Sequence, residues 1–372
     1  MAEQHLHIVS FDVPWPPDYG GVIDVYYKAR ALAAIGVKVH LHCYEYGRGR
    51  RKELEQAFTS VSYHKRHMGR HLLINNLPYV VVTRRSEQLV KLLMKDTHPI
   101  LFEGLHSCYH LGEPALNGRT RLVRAHNVEH EYDAAFAVAE RNAFRRTYFN
   151  NEARKLRRYE PVLSEADAIL AISPKDHAHF AEHFRRSVHV PAFHPNDKVE
   201  VPGGIGEFCL YHGALGVPEN DRAALYLVRD VFNDLSQKLV IAGSGASTEL
   251  KKEVAKAKNV TLLEDVPTER IHELVREAQV NVLPTFQATG IKLKLLLCLF
   301  TGRHVVCNTP MVKGTGLEDL CHVHDDAEGM RLSITACMGK PVDGGRVEER
   351  ISVLEQRFSN RRNAEAIVKL LK

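Results

Sequence analysis

Residues 208–245 read FCLYHGALGVPENDRAALYLVRDVFNDLSQKLVIAGSG. An unbroken apolar run (208–213) reaches a glycine turn. A helix-period stretch (near 220–233) opens behind Pro218, and a second apolar run (238–242) ends in Gly243-Ser244-Gly245. Short continuous apolar runs alternating with 3.6-period segments mark parallel strands covered on both faces by helices. The pattern continues downstream as a helix near 247–257, a strand at 259–263, a helix at 268–278, a strand at 280–284, a helix at 290–301 and a strand at 304–307.

The same alternation occupies the first half. His5–Phe11 reads as a strand, the PWPPDYGG loop (14–21) follows, and a helix runs from about Val22 to Ile35 with Gly36 as its C-cap. Lys38–Tyr44, Ile100–Phe102, Arg121–Ala125 and Ala168–Ile172 read as further strands. The segment HPNDKVEVPGGIGE (194–207) lacks an apolar period and separates the two series. The expected organisation is a first Rossmann-like domain (1–193), a linker (194–207), a second Rossmann-like domain (208–350) and a C-terminal helix (351–372) that packs back on the first domain. Two doubly wound parallel sheets facing across a cleft suit an enzyme with two substrates.

At 372 residues the chain is long enough for two cores. Its net charge of +5 is too mild to imply nucleic acid. No apolar run is long enough to span a bilayer, and MAEQHLHIVSF lacks the layout of a secretory signal. The seven cysteines lack CxxC pairing, and several lie in strand-like runs, which points to a cytoplasmic protein without disulfides. Zinc-type ligand spacing, a nucleophile elbow and a P-loop are all missing. A nucleophilic mechanism therefore finds no support.

Several motifs can carry chemistry. Gly20 and Gly21 lie where a loop enters a helix, a place that suits an anion but serves equally as a plain tight turn. Gly243-Ser244-Gly245 offers the same close backbone approach. Gly290-Ile291-Lys292-Leu293-Lys294 opens a helix whose remainder looks buried. Lysines in a first turn oppose the helix dipole unless an anion is present, and a half-buried ammonium needs a partner that a diphosphate would supply. On a regular helix the two lysines diverge by roughly 200° and would not share one oxygen. His126 and Asn127 end a strand at its carboxyl edge, where sugar hydroxyls could bind. The basic, aromatic-interleaved helix near 141–158 is either a solvated face or a surface for anionic lipid.

Taken together, these residues resemble a GT-B glycosyltransferase similar to glycosyltransferase family 4. The resemblance rests on Pro16, Pro17, Tyr19, Gly20 and Gly21; on His126, Asn127 and Glu129; on Ala166, Asp167, Ile169 and Ser173; on Gly213, Pro218 and Asn220; and on Gly290, Ile291, Lys292, Lys294, Leu296, Gly302, Val305 and Val306. It implies a retaining, metal-independent transfer of sugar, with no cofactor, from a UDP- or GDP-sugar to a saccharide or lipid-linked saccharide in polysaccharide biosynthesis, possible at a membrane surface. His126 would touch the transferred sugar. Gly20, Gly21 and Asn127 would line the phosphate or acceptor loop. Gly213, Gly243, Ser244, Val266, Gly290 and Ile291 would line the donor pocket, and Lys294 with Lys292 would neutralise the diphosphate. The pattern departs from the family at Leu297 and Thr289, where the resemblance calls for glutamates. Losing a charge-assisted ribose contact costs about 1.5–3 kcal/mol. The alternative is a GT-B-shaped binding protein that no longer turns over.

Overall fold

The computed structural model describes residues 3–140, 142–286 and 292–371. It divides into two compact units. One holds the chain up to Pro195 and again from Phe358 onward; the other holds Asn196 to Phe286 and Lys292 to Arg357. The crossing falls inside the 194–207 stretch, and the return comes at Phe358, so residues 351–357 stay with the second unit.

The first unit carries a seven-stranded, all-parallel sheet: β1 (His5–Ser10), β2 (Lys38–Glu45), β3 (Ser60–Lys65), β4 (Ile100–Glu103), β5 (Arg121–Ala125), β6 (Ala168–Ala171) and β7 (Ser187–His189). Their order is β3-β2-β1-β4-β5-β6-β7. Side-chain alternation divides its interior into two layers. Leu6, Ile8, Leu101, Leu122 and Leu170 face the helix Gly20–Ala34, and Ala364, Ile367 and Leu371 from the chain's end join that layer. Val9, Phe102, Val123 and Ile169 face the other way.

The second unit carries β8 (Cys209–His212), β9 (Leu239–Gly243), β10 (Val260–Glu264), β11 (Val280–Leu283), β12 (His304–Cys307) and β13 (His322–Val323). Their order is β10-β9-β8-β11-β12-β13, again all parallel. Each unit is a doubly wound Rossmann-like layer structure. Strand order reverses between β1 and β4 in one and between β8 and β11 in the other. Crossovers leave in opposite directions there and open a crevice at the carboxyl edge. These two edges are where binding residues belong.

Candidate functional site

At the carboxyl edge of the second sheet, β8 ends in His212 and Gly213, and β9 ends in Gly243. A Cβ on Gly243 would lie 1.8 Å from the Gly213 carbonyl oxygen, so only glycine lets the two strand ends close together. The loops behind them lock by Gly213 N–H to Ala242 O (3.1 Å) and Gly216 N–H to Ser244 O (3.0 Å). Val266 lies half-buried beyond β10, next to Asp265, whose φ is 53°.

Two lysines converge on this edge. Lys294 Nζ donates to Asn220 Oδ1 at 2.8 Å and sits 5.1 Å from the centroid of the Tyr211 ring. Lys292 Nζ reaches Glu219 Oε1 at 3.4 Å. Glu219 and Asn220 lie in the first turn of the helix Pro218–Tyr226. Glu219 also accepts from the Thr285 hydroxyl, and Thr285 is held by Asn308 through Thr285 N–H to Oδ1 (2.9 Å). The expected divergence of the lysines by roughly 200° fails for a local reason. The helix starts only at Leu293, and Lys292 is its extended N-cap (φ −80°, ψ 103°), so both ammonium groups turn to adjacent residues. Gly290, Ile291 and Thr289 lie outside the described residues. Leu297 is buried in the same helix.

Burial lowers the Lys294 ammonium to about 8, and the neighbouring charge of Lys292 adds to the effect against Glu219. Its hydrogen-bond partner is a neutral amide, so a buried cation here lacks the counter-charge that would restore it. Burial, then Lys294, depress His212 to about 3. The Arg222 guanidinium lies 4.2 Å from the Phe286 ring centroid.

The carboxyl edge of the first sheet holds a different arrangement. Tyr19 O–H and Val13 N–H both donate to the Asp12 carboxylate, each at 2.8 Å, shaping the loop that leads to Gly20 and Gly21. Gly20 is the first residue of the helix Gly20–Ala34, and a Cβ on Gly21 would meet the Phe11 ring at 2.7 Å. Below the loop, Lys28 bridges Asp24 and Glu103 at 2.8 Å each, and Arg124 pairs with Asp24 at 2.7 Å, all four fully buried. Burial alone would raise Asp24, but Arg124 and Lys28 hold it well below the usual carboxylate range. Two carboxylates and two cations balance. The Lys28 ammonium fills the gap between Asp24 and Glu103.

His126 follows β5 and directs Nε2 to Glu103 Oε2 at 3.2 Å, with its ring edge-on to Phe11 at 5.5 Å. Asn127 beside it is half-buried. His106, beyond β4, lies 5.8 Å from Phe11 and 3.7 Å from Glu129 Oε2. Among the described residues, three buried polar atoms here have no hydrogen-bond partner: Glu103 Oε1, His106 Nδ1 and Glu129 Oε1. Burial, reinforced by Asp133, raises Glu129 to about 8, so it carries a proton at neutral pH. Unsatisfied atoms gathered at one sheet edge mark a place where hydroxyl-rich ligands would complete the hydrogen bonding.

Sequence reasoning missed Asp24, Lys28, Glu103, Arg124, His106 and Glu219. The available signal was charge inside buried segments: Asp24 and Lys28 interrupt an apolar helix face at i, i+4, and Arg124 interrupts the run RLVRA.

No family model matches the chain. It is 25% identical over 331 residues to an uncharacterized 44.6 kDa protein in the cps region of Klebsiella pneumoniae, covering 83% of this chain and 84% of that one. Among solved structures, sucrose-phosphate synthase from Thermosynechococcus elongatus superposes with a TM-score of 0.69 at 16% identity, over 99% of this chain and 98% of the other. WaaG, a glycosyltransferase involved in lipopolysaccharide biosynthesis, and Anabaena HepE in complex with UDP and glucose both give 0.66, at 14% and 12% identity, over 99% of each chain. With two all-parallel Rossmann-like sheets and these structural likenesses, the fold is that of the GT-B glycosyltransferases.

Proposed function

We propose that this protein is a retaining, metal-independent glycosyltransferase that moves a sugar from a UDP- or GDP-sugar to a saccharide or lipid-linked saccharide acceptor in polysaccharide biosynthesis. The observation that carries the reading is the half-buried Lys294 side chain, its ammonium lowered to about 8 and bonded, among the described residues, to an amide oxygen at the carboxyl edge of the second sheet. A nucleoside diphosphate placed there would gain Lys294, Lys292 and the amino end of the helix Leu293–Thr301. Positive charge fixed beside the leaving diphosphate lowers the barrier without a nucleophile. Gly213, Gly243, Ser244 and Val266 would wall the nucleotide. The complex of HepE with UDP and glucose supports the choice of ligand class.

In the first unit, His126 would contact the transferred sugar. Gly20, Gly21 and Asn127 would bind the acceptor side, with Glu103, His106 and Glu129 offering unsatisfied atoms to hydroxyls. Peripheral membrane contact fits exposed Val138 and Phe144 beside Arg145 and Arg146. No helix among the described residues is long and apolar enough to cross a membrane.

A thermal-shift panel of UDP, GDP, ADP and their sugars tests the reading. Saturating UDP or GDP at about 100 times Kd would stabilise by roughly 2.7 kcal/mol. A flat melting temperature across the panel refutes donor binding and leaves the non-catalytic alternative suggested by Leu297.

A further inference from the structure

The amino edge of the second sheet, opposite the two lysines, gathers three residues that the glycosyltransferase reading does not use. His304 opens β12, His322 opens β13, and Cys337 closes the helix Ala327–Cys337. One ligand atom from each lies within 4.8 Å of the others. Cys337 Sγ is 3.5 Å from His322 Nε2. A tetrahedral ion with zinc-like bond lengths separates a thiolate sulfur from an imidazole nitrogen by about 3.5 Å, so this pair already stands at ligating distance. The two rings are 6.0 Å apart between centroids, and shared ligation would draw them in by about 1 Å.

The surroundings are built to hold these groups. His304 Nε2–H donates to Lys340 O at 3.0 Å, leaving the lone pair on Nδ1, the kind of outer hydrogen bond that orients a ligating histidine. Gln279, fully buried, donates to Cys337 O (2.8 Å) and Lys340 O (2.6 Å), pinning the turn that carries the thiol. Both rings are half-buried, which gives an ion a way in. Burial pushes Cys337 up to about 11, and the ion would have to displace that proton. The spacing between these residues matches no compact ligand motif, because parallel strands and a crossover helix bring them together.

We propose that His304, His322 and Cys337 form a binding site for a soft divalent ion of the zinc class, tetrahedral, with water as its fourth ligand. The Cys337 thiol loses its proton to solvent as the sulfur–metal bond forms, and no electron changes hands. The site is independent of sugar transfer.

The test uses the full chain, stripped with a chelator and titrated with Co2+ and Zn2+ without nucleotide. One Co2+ per chain should bind with a tetrahedral visible spectrum, a thiolate-to-cobalt charge-transfer band and release of close to one proton, and Zn2+ should displace it with no further proton release. Zinc at about 100 times Kd should raise the melting temperature by about 5–10 °C. Cys337→Ser and His304→Gln should each abolish the band, whereas Cys298→Ser should keep it; Cys298 also lies near a histidine, 3.6 Å from His212 Nε2. Metal-free melting curves check that the variants fold, and His304→Gln at a half-exposed ring serves if Cys337→Ser does not. The proposal is overturned if the band never forms or survives both substitutions, or if metal uptake disappears only with His5→Ala or His98→Ala, a stacked pair in the first unit.

Discussion

Replacing Lys294 with methionine keeps most of the side-chain volume and removes only the charge. In the wild-type protein the ammonium is half-buried with Asn220 Oδ1 as its hydrogen-bond partner, so most of its favourable electrostatics remains to be made with a ligand. A charge-assisted hydrogen bond to phosphate is worth about 1.5–3 kcal/mol, and Lys294→Met should weaken UDP or GDP about 10- to 100-fold. Lys292 differs, because Glu219 already partners it at 3.4 Å. Lys292→Met should cost about 0.2–1 kcal/mol, at most about fivefold.

The pH dependence supplies a second handle. Free Lys294 loses its proton near 8. A bound diphosphate favours the charged form and raises that value, so binding takes up a proton in this range. Affinity should be level below pH 7 and fall above pH 8, by up to about tenfold per unit. Calorimetry at pH 7, 8 and 9, in buffers of different ionisation enthalpy, measures both the affinity and the proton. Near pH 8 the wild type should absorb about half a proton and Lys294→Met none. A larger loss in Lys292→Met than in Lys294→Met, or a flat profile for the wild type, would refute the assignment of the phosphate contact.

Gly243→Ala forces a Cβ to 1.8 Å from the Gly213 carbonyl oxygen; it should cost at least about 2 kcal/mol and lower the melting temperature by about 4–8 °C, and an unchanged melting curve would show that the strand ends can separate freely. Arg124→Met strips Asp24 of its bidentate partner in a fully buried cluster and should destabilise by about 3–5 kcal/mol in urea titration, whereas breaking an exposed pair costs about 1 kcal/mol or less. His7 and His64, both buried, are lowered to about 4 chiefly by burial, although Asp96 opposes the shift at His7. Their neutral forms stabilise the first unit fully above about pH 6.5; as pH falls from there toward 4 the unfolded chain takes up protons that the folded one refuses, and stability should drop by about 1.4 kcal/mol per unit for each histidine, a slope that His64→Gln should reduce. Phe144→Ser with Arg145→Ala should weaken sedimentation with anionic phosphatidylglycerol vesicles about tenfold or more, and equal binding by the wild type to neutral vesicles would remove the proposed lipid contact.

The strands that sequence reading placed best are β1, β2, β4, β5 and β6, and in the second unit β8 to β12. Apart from β10, a part-exposed strand at the sheet's edge, each is a largely buried run, so composition alone betrays it. Two other edge strands escaped: β3 (SVSYHK) is half exposed, and β13 is two residues long. The start of the helix Leu293–Thr301 also escaped, because a glycine followed by two lysines at spacing two reads as a regular first turn. Only the backbone shows that Lys292 stands outside it.

Local patterning thus determined the alternation of elements, the two-unit division and the general neighbourhood of the lysines, since periodicity and turn chemistry act over a few residues. Tertiary structure alone decided what those side chains meet. Glu103 reaches Lys28 across 75 positions, Lys294 reaches Asn220 across 74, and Cys337 comes to His322 only when a helix packs back on its sheet. Partner choice of that kind depends on strand order and on the edge at which each strand ends, and a one-dimensional pattern carries neither.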